Sequence, residues 1–197
     1  MSGSPATSPS DDLKRVMIDA ATIERRVDEL AKRVSADFAG VDQLMVVGVL
    51  KGSFIFMADL CRRLTVPHRV DFISLSSYGR GATATGVVRM VMDLKTNIEA
   101  RHVLIVEDIV DTGYTLDYLV RNFSTRSPAS LRSCVLLSKP ERRKVEVDVD
   151  YLGFEIPDVW VVGYGLDYAD TYRTLPYIAE LRSSVYKKPS EPMAEVE

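Results

Sequence analysis

Val103-Leu104-Ile105-Val106-Glu107-Asp108-Ile109-Val110-Asp111-Thr112-Gly113-Tyr114-Thr115-Leu116 is an apolar run, an acid pair, two more apolar residues and a small polar turn. The run from His102 to Val106 is apolar at successive positions, as expected of a strand covered on both faces in a parallel sheet. Asp111 to Thr115 then opens a helix expected from Thr112 to Phe123. A strand-to-helix turn presents backbone N–H groups at the positive end of the helix, where an anion such as phosphate is favoured. Gly113 permits close backbone approach, and the Thr112 and Thr115 hydroxyls are further donors. Glu107 and Asp108, expected at the carboxyl end of the strand, suit the vicinal hydroxyls of a sugar or a hard cation such as Mg²⁺. Taken singly, Asp111 reads more readily as a helix cap and the acid pair as solvated loop charges. It is the whole ordered pattern that points to a sugar-phosphate loop.

Outward from this stretch, Ile23, Val27, Leu30, Ala31, Val34 and Phe38 recur at three- and four-residue steps, predicting an amphipathic helix with Asp19 as cap and Gly40 as stop. Leu44 to Leu50 reads as a second strand covered on both faces. A helix is expected from Ser53 to Leu64, capped by that serine. Further strands are expected at Val70 to Ser76, Val87 to Met92, Leu131 to Leu137 and Val159 to Gly163. Strands interleaved with helices predict an α/β domain with a mostly parallel central sheet flanked by helices. The Ser-, Pro- and Gly-rich start (1–11) and the charged, Pro-containing end (187–197) read as disordered tails around a domain at 12–186.

The chain has 197 residues, 46% of them hydrophobic, enough for one substantial core. A net charge of -3 gives no global attraction to nucleic acid or anionic membrane, so anion binding must be local. Cys61 and Cys134 sit in apolar stretches without metal-ligand spacing and read as buried thiols, and no run is long enough to span a membrane. A cytoplasmic location is expected. His68 and His102 stand just ahead of strands and fit no catalytic set, while Arg142-Arg143-Lys144 reads as a solvated loop.

Val103 to Thr115 resembles the phosphoribosyl pyrophosphate signature of the type I phosphoribosyltransferases, with hypoxanthine-guanine phosphoribosyltransferases the nearest group. The likeness extends from about Asp12 to about Tyr186. It implies the type I fold with a small hood region, a Mg²⁺ cofactor, phosphoribosyl pyrophosphate and a 6-oxopurine base as substrates, and a homodimer or homotetramer. It implies that Glu107 and Asp108 hold the ribose hydroxyls and Mg²⁺, that Asp111 assists proton transfer at the purine N7, and that Asp111, Thr112, Gly113, Tyr114 and Thr115 cradle the 5-phosphate. Tyr114 stands where some members carry lysine. Lys51 and Gly52, after the strand ending at Leu50, match the pyrophosphate loop, in which a non-proline peptide bond is cis. Ser77 and Tyr78 match the Ser-Tyr pair of a lid, within the small, glycine-rich stretch Ser76 to Gly86. Lys139 would read the purine O6, Trp160 would stack on the base, the Val161 backbone would meet its polar edge, Asp167 would contact Mg²⁺ or the base, and Arg173 would reach the pyrophosphate.

Two other readings stay open on the residues alone. One is an RNA-binding regulator on the same fold, which the acidic balance and the joint presence of Lys139 and Trp160 count against. The other is a related enzyme preferring xanthine or a pyrimidine.

Overall fold

The computed structural model describes residues 11–77 and 88–186. The expected tails, apart from Asp11, and the lid residues from Tyr78 to Gly86 lie outside them. In chain order the elements are β1 (Leu13–Ile18), α1 (Ala20–Asp37), β2 (Leu44–Leu50), α2 (Phe54–Cys61), β3 (His68–Ser77), β4 (Val88–Met92), β5 (His102–Val110), α3 (Tyr114–Ser124), β6 (Ser130–Ser138), β7 (Tyr151–Glu155), β8 (Val161–Val162), β9 (Ile178–Leu181) and α4 (Ser183–Tyr186).

Six strands form the main sheet in the order β4-β3-β2-β5-β6-β7. Every pairing is parallel except β3 with the edge strand β4. The apolar runs at the centre of this sheet are explained by their two coats. On β5, Leu104 and Val106 join a core layer with Val27 and Leu30 of α1 and Phe56 of α2. Val103 and Ile105 face the opposite layer, with Leu116, Leu119 and Phe123 of α3. Successive side chains of a strand alternate between faces, so both faces must be apolar where both are covered. The small antiparallel sheet β1-β9-β8 supplies the hood that the family resemblance implies.

Helix α1 begins as its sequence predicts, with the Asp19 carboxylate accepting the Thr22 N–H at 2.7 Å, and the turn after it uses Gly40 at φ 81°. Helix α2 departs from expectation. It ends at Cys61, and Ser53 makes no side-chain cap; its hydroxyl donates instead to the Val49 carbonyl at 2.7 Å. Strand β5 does not stop at Val106 but runs on to Val110, so Glu107 and Asp108 lie within the strand rather than beyond it. The ladder with β6 continues through Val110 opposite Ser138, which keeps this segment extended. The strand expected from Val159 to Gly163 is only Val161–Val162, because Gly163 and Tyr164 turn the chain with positive φ.

Candidate active site

At the carboxyl end of β5 the chain turns through Asp111, Thr112 and Gly113 into α3. Gly113 has φ 91° and serves as the cap residue, and no side chain caps the helix. The N–H groups of its first turn therefore face outward without a side-chain partner. Asp111 is not the helix cap, which leaves its carboxylate for another role. A methyl group on Gly113 would lie 2.6 Å from the Val145 carbonyl oxygen. That segment also holds the loop from below: the Lys144 and Val145 N–H groups donate to the Thr112 carbonyl at 2.9 and 3.2 Å.

A cleft of about 330 Å³ opens above this turn. Its wall brings together Lys51 and Gly52 after β2, Glu107 and Asp108 on β5, the turn residues Asp111, Thr112, Gly113 and Thr115, and Asp167 and Arg173 from the long connection between β8 and β9. Tyr114 opens α3 but is not part of that wall. The Leu50–Lys51 peptide bond is cis. A Cβ at Gly52 would fall 1.7 Å from Asp108 Oδ2, so any larger residue there would have to displace that carboxylate.

The strand geometry sends the two adjacent acids to opposite faces of the sheet. Glu107 is 4% exposed and its Oε2 has no hydrogen-bond partner among the described residues. Burial holds its carboxyl well above the usual range, Asp108 adds to the rise, and Arg143 opposes it. Asp108 is half-buried against Gly52, and burial pushes its carboxyl up to about 6 against the pull of its backbone N–H neighbours and Arg173. Each acid is thus short of positive partners, a condition that a cation or hydroxyl donors would relieve. Among the described residues, no three His, Cys, Asp or Glu side chains converge on one point, so Glu107, Asp108 and Asp167 share a cleft without forming a closed cage.

Arg142, expected to be solvated, is a site residue. Its Nε lies 2.6 Å from Asp111 Oδ1, and its Nη1 lies 3.4 Å from Asp158. Lys139, at 7% exposed, sits 3.7 Å from the same Asp158 carboxylate. Burial lowers the Lys139 pKa, and the carboxylates of Asp111 and Asp158 work in the other direction. Arg143 is likewise not solvated: it donates to the Ser138 hydroxyl at 2.8 Å, and its Nη1 is buried without a partner. The signal for both arginines is positional, since they follow the carboxyl end of a parallel strand, where α/β sheets bind ligands.

Lys139, Trp160 and Val161 lie outside the cleft wall. Val161 is buried and pairs with Glu180 across β8 and β9. Trp160 is 45% exposed. Arg173 is tied to Asp167 at 2.7 Å, to Asp170 at 3.0 Å and to the Gly165 carbonyl at 2.8 Å. Lys51 reaches the same Asp170 at 3.0 Å. Asp158 went unremarked in the sequence because it acts only through Lys139 and Arg142, both distant in the chain. Cys134 is buried and Cys61 partly so, and burial raises both thiols. Among the described residues no helix is long and apolar enough to cross a membrane.

Residues 17–169 match the family model of the phosphoribosyl transferase domain. A hypoxanthine-guanine phosphoribosyltransferase of Dictyostelium discoideum is 47% identical over 178 residues, covering 89% of this chain and 99% of the relative. A hypoxanthine phosphoribosyltransferase of Escherichia coli (strain K12) is 49% identical over 168 residues, covering 84% and 94%. The crystal structure of a hypoxanthine phosphoribosyltransferase from Staphylococcus aureus superposes with a TM-score of 0.88 at 41% identity, over 94% of this chain and 100% of that one. With the cradle, the acid pair and these likenesses in agreement, the chain belongs to the phosphoribosyltransferase family, in its hypoxanthine-guanine group.

Proposed function

We propose that this protein transfers the phosphoribosyl group of phosphoribosyl pyrophosphate to hypoxanthine or guanine, giving IMP or GMP and pyrophosphate, a step of purine salvage. The observation that carries the reading is the single cleft joining an uncapped helix N-terminus, the Glu107-Asp108 pair, the Lys51-Gly52 turn and Arg173. In this reaction pyrophosphate leaves C1 of the ribose as N9 of the purine attacks. The turn from Asp111 to Thr115 holds the 5-phosphate by backbone N–H groups and the Thr112 and Thr115 hydroxyls. Asp108 and Glu107 accept from the ribose hydroxyls. Lys51, the Gly52 backbone and Arg173 receive the pyrophosphate.

Asp111 takes the proton role at N7, with the Arg142 guanidinium beside its carboxylate. Lys139 donates to O6, which favours 6-oxopurines over adenine, whose amino group is itself a donor. Trp160 stacks on the base and the Val161 backbone meets its edge. Glu107, Asp108 and Asp167 would hold Mg²⁺, which when bound neutralises charge on the pyrophosphate. The donor set suits this cation, which binds through one or two carboxylates and completes its shell with water and substrate phosphates. Most of the acceleration comes from positioning and charge stabilisation. We further assign the working domain to 12–186, a homodimer or homotetramer as the assembly, and the cytoplasm as the location.

Turnover with phosphoribosyl pyrophosphate, Mg²⁺ and each of hypoxanthine, guanine, xanthine, adenine and uracil tests this reading. Hypoxanthine and guanine are expected to react and adenine and uracil not; turnover of adenine or uracil without hypoxanthine overturns it. Tight, salt-sensitive RNA binding with no turnover would replace it by the regulator reading.

A further inference from the structure

Trp160 does not stand alone. The Tyr186 ring lies against it with centroids 5.3 Å apart and planes 24° from parallel, a stacked contact. The Tyr168 ring meets its edge, at 5.6 Å and 86°. Both partners belong to the same small core of the hood, around Val162, Ala179 and Leu181. Alternation along β8 explains the grouping: Val161 faces the main core, while Val162 faces this hood layer and Trp160 shares its side. The Trp160 backbone is anchored by the Leu181 N–H, which donates to the Trp160 carbonyl at 2.8 Å. The Tyr168 hydroxyl donates to the Val185 carbonyl at 3.3 Å, which ties α4 to the same aromatic group.

The indole has one face stacked and one edge abutted, and Trp160 is still 45% exposed, which leaves surface free for a ligand. We propose that Tyr186 is a positioning residue for the base: it backs the Trp160 ring from behind, so that the free surface meets the purine already oriented. The inference rests on the reading of Trp160 as the base platform. A free indole would lose rotational freedom on binding the base, and a ring already held by a stacked partner loses less. Offset-stacked aromatic pairs contribute about 0.5–1.5 kcal/mol beyond their buried area. Tyr186 itself touches neither substrate. Through this contact α4 takes part in base recognition.

The chain has one tryptophan, so its indole emission, excited selectively over the tyrosines, reports on this ring alone. GMP titrated into the full-length enzyme is expected to quench that emission saturably in the wild type. Y186A is expected to raise the GMP concentration for half-quenching and the KM for hypoxanthine by about three- to tenfold, with the KM for phosphoribosyl pyrophosphate and kcat within about twofold. Y186F keeps the stacked face and is expected to behave as wild type, since no role is assigned to the hydroxyl. Should Y186A fail to fold, Y186L fills the volume without an aromatic face and is held to the same outcomes. Unchanged GMP quenching and hypoxanthine KM in the variant overturn the role of Tyr186 while leaving the platform standing. A wild-type emission that does not respond to GMP overturns the platform, and the role of Tyr186 with it.

Discussion

The sugar-phosphate half of the site and the base half are built in different ways. The first comes largely from one strand, one turn and one helix start, residues 107–115, and its donors and acceptors already face a common cleft. The second is gathered from the end of β6, the entry to β8 and the connection that follows it. Its cations are tied to protein acids, Lys139 to Asp158 and Arg142 to both Asp158 and Asp111, as Lys51 and Arg173 of the pyrophosphate side are to Asp170. A phosphate cradle is a property of backbone, which local sequence can set. On the proposed reading, base recognition depends on side chains that must leave one partner for another as the ligand enters.

That contrast yields graded expectations. The largest concerns Asp111, which stands where the halves meet. Asp111→Ala is expected to lower kcat by about a hundred- to ten-thousandfold with the fold retained by circular dichroism; unchanged kcat removes Asp111 from proton transfer. Next, Gly113→Ala places a side chain at φ 91° with its Cβ 2.6 Å from a backbone oxygen. It is expected to cost about 1–3 kcal/mol in urea unfolding and to raise the KM for phosphoribosyl pyrophosphate more than that for hypoxanthine. A neutral result would mean that the cradle tolerates more movement than its packing allows.

A smaller effect is expected from Asp108. Burial raises its folded-state pKa to about 6 from the ordinary 3.8. Between those values the folded state binds the extra proton, so the stability of the ligand-free protein falls as pH rises from about 4 to about 6. Glu107 is raised for the same first cause and adds a slope of the same sign. Melting temperature against pH measures this, and D108N is expected to flatten the slope. An unchanged slope in D108N would assign the pH dependence to Glu107 or elsewhere.

The same contrast governs what was legible in the sequence. The two-sided apolar runs of β2 and β5, the helix after Gly113 and the phosphate turn all follow from local pattern. What local pattern missed depends on distant partners. Strand β1, Leu-Lys-Arg-Val-Met-Ile, has no two-residue alternation to announce it and is held by pairing with β9, nearly the whole chain away. Strand β7 is five residues with a glycine at its centre, accepted because Gly153 lies against the Leu136 backbone, where a Cβ would be 2.3 Å from its oxygen. Glu107 and Asp108 read as a loop because acids rarely sit inside a buried strand, yet the ladder to β6 holds them there. In the site, Arg142 and Asp158 carried no motif, and only folding shows that they stand between Asp111 and Lys139. Tyr186 was visible only as the end of the likeness, not as the partner of Trp160.

The division into a prebuilt sugar-phosphate half and a separate base half is tested most directly by steady-state kinetics of Lys139→Ala with both substrates varied. Losing a charged donor to O6 is expected to raise the KM for hypoxanthine by about ten- to a hundredfold, with the KM for phosphoribosyl pyrophosphate within about twofold of wild type. Equal loss toward both substrates would contradict the division and make the site a single unit.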